Sequence, residues 1–183
     1  MKTYFAFLIA ILLCTDTLRS QYAYLYIQHP QKGTGGSGSI QEVVSVVQPN
    51  GSYTKNDLYL TFAAKSIPSF LPDDSVEVRL TFNFGQSIAV SDLWLWIGQD
   101  TSKAILADRS KARATYDNIV KRRRDPALLE MPYADYYSLS IYPMRADGTR
   151  KVRLSYLVPD KMTEGKLTAS LPIWLVKASR VFP

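Results

Sequence analysis

Residues 75–84 alternate without a break: Val76, Val78, Leu80, Phe82 and Phe84 are apolar, and Glu77, Arg79, Thr81 and Asn83 stand between them. Successive side chains of an extended strand leave on opposite faces, so a period of two sends one row to a core and the other to water. A helix would scatter the same residues around its axis. The pattern therefore predicts a strand with one buried face, which needs a sheet around it and a second layer against it.

Other segments repeat the period. Residues 40–48 are apolar and β-branched, and residues 53–63 alternate through Leu58, Leu60 and Phe62. Pro49-Asn50-Gly51-Ser52 lies between them, and Asn-Gly predicts a hairpin because both residues tolerate positive φ. Residues 88–97 hold Leu93, Trp94, Leu95 and Trp96, a denser run expected as a central strand covered on both faces. Residues 137–142 alternate, Asp147-Gly148 marks a turn, and Val152, Leu154 and Tyr156 alternate in the returning strand. Residues 167–175 read as one more strand, with Pro172 placing it at an edge or a bend.

One segment changes period. Ala112, Tyr116, Ile119 and Val120 recur at helical spacing. Asp108 is placed to cap the helix N-terminus, and Lys121, Arg122, Arg123 and Arg124 fall at the end where cations favour the helix dipole. Asp125-Pro126 stops it, because the residue before proline avoids the α region. The expectation is a mainly β chain: an antiparallel β-sandwich-like domain of seven or eight strands with one packed α-helix at about 108–123, docked on the sheet that contains 88–97.

The N-terminus reads as an address. Lys2 precedes ten apolar residues, 5–14, and a polar stretch follows. A bilayer span needs about 20 such residues, whereas a secretory signal peptide needs fewer. Cleavage is expected after Ser20, and no later run is long enough to cross a membrane as a helix. Loss of Lys2, Arg19 and Asp16 then takes the net charge from +6 to +5. The expected layout is a signal peptide at 1–20, a flexible segment at 21–39, a domain at 40–158 and a trailing strand segment at 159–183 that continues into a further C-terminal region. Four of the nine glycines fall within 30–39, which is why that stretch reads as a linker. A phosphate-cradling loop there would need a Gly-Lys-Ser/Thr ending that it lacks.

Composition limits the chemistry. The single cysteine, Cys14, lies in the signal segment, so the mature chain is expected to hold no thiol for a disulfide, a zinc site or a nucleophile. The single histidine, His29, leaves no multi-histidine metal site, and a Ser-His-Asp engine is not expected. Asp73-Asp74-Ser75-Val76-Glu77 approaches an Asp-x-Ser-x-Ser metal loop but ends in glutamate, so Asp73 and Asp74 read as turn residues. No cofactor is expected and no residues form a catalytic constellation. A hydrolase built on paired carboxylates is the third-ranked class, behind two binding classes. The cluster Lys121, Arg122, Arg123 and Arg124 is the candidate anion- or partner-binding site; its plainer reading is a solvated helix end. Tyr133, Tyr136 and Tyr137 form a second aromatic cluster, read as half-buried strand residues.

The helix and its flanks resemble a known family. Leu93-Trp94-Leu95-Trp96-Ile97-Gly98, Lys103-Ala104-Ile105-Leu106-Ala107-Asp108-Arg109, Tyr116 with Ile119-Val120, Arg122-Arg123-Arg124-Asp125-Pro126-Ala127-Leu128-Leu129, and Arg150-Lys151-Val152 follow in the order seen in the vault protein inter-alpha-trypsin (VIT) domain. The resemblance covers about 40–158 and is closest to bacterial exported forms. It implies structural roles: Tyr116, Ile119 and Val120 seat the helix, Asp125 and Pro126 turn the chain, and Leu128 and Leu129 re-enter the core. It further implies a non-catalytic interaction or scaffolding module of a secreted or cell-envelope protein, beside a von Willebrand A domain, located in the periplasm, at the cell surface or outside. Its partner would be a protein or a cell-surface polymer. Nucleic acid is not expected, and a stand-alone anion- or glycan-binding domain is the alternative.

Overall fold

The computed structural model describes residues 22–65, 67–84, 88–121, 126–168 and 172–179. The strands are β1 (Ala23–Gln28), β2 (Gly35–Ser37), β3 (Ser39–Asn50), β4 (Tyr53–Ala63), β5 (Ser75–Asn83), β6 (Ala89–Ile97), β7 (Asp100–Lys103), β8 (Ala127–Tyr133), β9 (Tyr136–Arg145), β10 (Thr149–Pro159), β11 (Lys161–Thr163) and β12 (Lys166–Thr168). The helices are α1 (Arg109–Lys121) and the single turn α2 (Ile173–Val176). Two five-stranded sheets form the body, in the orders β2-β1-β5-β9-β8 and β3-β4-β10-β6-β7, and β11–β12 is a separate hairpin. Neighbouring strands are antiparallel throughout. Among the described residues this is the expected mainly β, sandwich-like architecture with one long helix.

The alternation translates into layers. In the first sheet, Leu25, Leu80, Leu139 and Leu129 stand side by side across four strands and face inward. In the second, Val43, Leu60, Val152 and Leu95 form the facing row. Leu25, Val78, Leu80, Leu60, Leu139, Ile141 and Val152 have no solvent exposure, and burial of each such side chain contributes roughly 1.5–3 kcal/mol.

Several expectations need correction. The β3–β4 hairpin forms, but Asn50 pairs with Tyr53, so the loop is Gly51-Ser52, and only Gly51 takes positive φ, at 71°. The segment expected as flexible at 21–39 contains two strands. Its glycines serve close approach: a Cβ on Gly38 would lie 2.6 Å from Ile27 Cδ1, and one on Gly35 would lie 2.7 Å from the Ile27 carbonyl oxygen. The turn at 146–148 does not return a strand to its neighbour. β9 belongs to the first sheet and β10 to the second, so the chain changes layer there. Of the strand expected at 167–175, residues 167 and 168 lie in β12, residues 169–171 lie outside the described residues, and Pro172 leads into α2, which places Leu175 in the core.

The helix was expected on the sheet that holds 88–97. Instead α1 packs on β8, in the opposite sheet. Period identifies which face of a helix is apolar; it does not name the surface that receives it.

Candidate functional site

α1 closes the outward face of the first sheet. Asp108 caps it as the sequence predicts: its Oδ1 accepts from the Ser110 N–H at 3.0 Å and the Lys111 N–H at 3.4 Å, the second and third positions of the helix. Hydrogen bonds from the Ser110 hydroxyl and then from these amides hold the Asp108 carboxyl below its ordinary range. Ala112, Tyr116 and Val120 point down, and Tyr116 packs with Leu128 and Tyr142 in a small cluster of its own. Tyr116 is 5% exposed, and its Oη donates to Glu77 Oε1 at 2.8 Å. Burial, reinforced by the Glu77 carboxylate, pushes this phenol well up.

Glu77 also accepts from Gln28 Nε2 at 2.7 Å and Arg79 at 3.1 Å. Nearer the start of α1, Glu130, 6% exposed, receives Arg113 through Nε at 3.2 Å and through Nη2, with Arg109 Nε at 3.7 Å. An open depression of about 460 Å³ lies here, lined by Asp108, Arg109, Ser110, Arg113 and Glu130. Every charged group in it already has a partner, so the arrangement is a latch for the helix.

The residues expected from the sequence fall out as follows. Lys121 ends α1 and is exposed; Arg122, Arg123, Arg124 and Asp125 lie outside the described residues. Tyr116 and Val120 seat the helix, while Ile119 is half-buried beyond that cluster. Pro126 precedes β8, and its carbonyl accepts from the Tyr142 N–H at 3.1 Å. Leu128 and Leu129 divide: Leu128 turns outward beneath α1, and only Leu129 turns to the main core, because neighbours on a strand face opposite ways.

Asp73 and Asp74 are turn residues. Asp74 bonds Lys32 Nζ at 2.7 Å and the Leu71 N–H at 2.9 Å, and these lower its pKa in that order. His29 is tied locally, its Nδ1 accepting from the Gln31 and Lys32 amides at 3.2 Å each. Tyr137 is core, whereas Tyr133 is exposed and Tyr136 half-buried. Among the described residues no cluster of three or more His, Cys, Asp or Glu side chains is placed to hold a metal, and no helix is long and apolar enough to cross a membrane.

The outward face of the second sheet carries features that the sequence reading missed. Val44, Tyr59, Arg153, Trp94 and Lys103 form one row across all five strands. The Arg153 guanidinium carbon lies 4.8 Å from the Trp94 ring centroid, with Lys103 Nζ at 5.7 Å from the same ring. Lys151 Nζ lies 5.6 Å from the Tyr59 centroid and 5.9 Å from that of Trp96, and the two rings are 6.0 Å apart. A parallel row of Val46, Asp57, Ser155 and Asp92 adds carboxylates.

Asp92 bonds Lys103 and the Trp94 indole N–H, each at 3.1 Å. Burial raises its pKa, but these bonds outweigh that and the net shift is downward. Residues 88–97 were expected to be covered on both faces; instead Leu93 and Leu95 enter the core, while Trp94 and Trp96 sit half-buried under cations. The strict Leu-Trp alternation, together with Lys151-Val152-Arg153-Leu154, was the signal available.

A comparison with curated proteins and with solved structures finds no match for this chain. The model of the vault protein inter-alpha-trypsin domain matches residues 50–156, which runs from the β3–β4 turn into β10 and takes in the helix, its latch and the aromatic row. With more than half of its length matched in this way, the chain belongs to the vault protein inter-alpha-trypsin domain family.

Proposed function

We propose that this chain is a non-catalytic interaction module that docks a protein partner on the outward face of its second sheet. The observation that carries this reading is the row of Tyr59, Arg153 and Trp94 with Trp96 in the next row, which no described element covers and which cross-strand register and ring–cation contacts hold in place. Trp, Tyr and Arg are the side chains that most often dominate protein interfaces, because each offers large rigid area and a polar tip. The cations here are interleaved with carboxylates, Lys103 with Asp92 and Lys151 with Glu42 at 3.7 Å. That mixture favours a protein surface of mixed charge over a uniform polyanion.

The apolar N-terminal stretch further supports export to the periplasm, cell surface or medium. The family supports a place in the N-terminal part of a longer bacterial envelope or secreted protein that carries a von Willebrand A domain. A photoreactive residue in place of Trp96 in the native protein, with one in place of Thr115 on the exposed side of α1 as control, tests the docking face. One protein adduct specific to position 96, recovered outside the cytoplasm, is the expected result. Equal labelling from both positions, or adducts only with polysaccharide, would overturn the reading.

A further inference from the structure

We infer that the chain pairs with a second copy of itself through the free edge of β3, by antiparallel addition about a two-fold axis at Ser45. This goes beyond the docking face and stands on separate observations. The two sheets present four edges. β2 has three residues, β7 has four that are all exposed and include Lys103, and β8 carries Pro132 and a register break. Short length, lysine, proline and bulges are the ordinary means of blunting an edge. β3 is twelve residues long and pairs on one side only among the described residues.

It does carry two such devices, a bulge at Gln41 and Pro49, but they stand at its ends and leave Glu42 to Gln48 unguarded. The inner five residues of that window, Val43-Val44-Ser45-Val46-Val47, read the same in both directions, with Glu42 and Gln48 on either side. Antiparallel pairing about Ser45 sets Val44 against Val46, Val43 against Val47, and the Glu42 carboxylate against the Gln48 carboxamide, which can donate to it. No like charges meet, and valine against valine is a favourable strand pair.

Two features of the single chain show an unfinished surface there. Val44 and Val46 are 42% and 37% exposed, and the inward-facing Val43 and Val47 are only half-buried, where their partners on β4, Leu60 and Asn56, are buried. The Ser45 hydroxyl is buried yet has no hydrogen-bond partner among the described residues. On the axis it faces its own copy, and directly opposed Cβ atoms about 4.5–5.5 Å apart let two hydroxyls bond. The second sheets of the two copies then join into one sheet of ten strands, and the two aromatic rows lie on the same side of it.

The test is sedimentation of the chain from residue 21 onward, which holds every described element. Twice the monomer mass is expected, with dissociation on dilution. A Ser45→Cys variant, free of other cysteines in that chain, should oxidise to a covalent dimer, whereas Val44→Cys should not do so efficiently, since its partner position is Val46. Val44→Lys/Val46→Lys and, separately, Val44→Glu/Val46→Glu should each weaken the dimer by roughly tenfold or more. Mixing the two should restore it as a heterodimer, which also shows that both variants are folded. A monomer at all concentrations, or a dimer that ignores these charges and does not cross-link at Ser45→Cys, would overturn the proposal.

Discussion

Under α1, Tyr116 and Tyr142 lie with Leu128 against the sheet, and the buried carboxylates Glu77 and Glu130 are fully engaged. On the opposite side of the sandwich, Tyr59, Trp94 and Trp96 lie on an equally aromatic surface, where cations rest over the rings: Arg153 and Lys103 over Trp94, and Lys151 over Tyr59 and Trp96. One face is completed by the chain's own helix, and no described element covers the other. The contrast separates two uses of the same side chains. Where Tyr116 is enclosed, its hydroxyl is fixed on the Glu77 carboxylate, which offsets the cost of burying it. Where rings are half-open, a mobile cation suffices and the surface stays available.

Breaking the covered face should have the largest effect. Tyr116→Ala removes the anchor of α1 and should lower the unfolding free energy by about 3–5 kcal/mol in a urea titration. Tyr116→Phe keeps the packing and removes the bond to Glu77, which retains Gln28 and Arg79, so a loss of about 1 kcal/mol is expected by the same measurement. The open face should behave in the reverse way: Tyr59→Ala with Trp96→Ala should abolish partner cross-linking from a probe placed elsewhere on that sheet while changing stability less than Tyr116→Ala does. Equal destabilisation from both sides would erase the distinction.

The smallest expected effect is a pH dependence. Asp108 has a lowered pKa in the folded chain, from the Ser110 hydroxyl and then the helix amides. Its contribution is therefore present above the ordinary carboxylate range and is lost as pH falls through the depressed folded value. Asp108→Asn keeps a capping acceptor and should flatten that part of the acid melting profile, while Asp108→Ala should lower the melting temperature at neutral pH as well.

Much of this architecture was legible in the residues. The alternation from Val76 to Phe84 gave a strand with the correct buried row, and Asp108, Tyr116 and Pro126 bounded and oriented the helix. What the period could not supply was partnership between distant segments. Gly35 and Gly38 looked like a linker because glycine marks both freedom and tight contact, and the Ile27 side chain that distinguishes the two lies across the fold. The basic cluster at Lys121 stood out by charge density, whereas Arg153 and Lys151 come together with Trp94, Trp96 and Tyr59 only after three strands align. A surface assembled one residue per strand leaves no contiguous motif.

The way the folded unit begins and ends bears on how it carries load. β1 and α2 pack on each other, Leu25 and Leu175 share the core, and the Ser179 hydroxyl accepts the Ile40 N–H at 2.8 Å. The polypeptide thus enters and leaves the domain on one flank. Tension applied along the chain would be met by this short clasp, like a belt pulled at its buckle, and the broad sheets between would be spared until the clasp had opened.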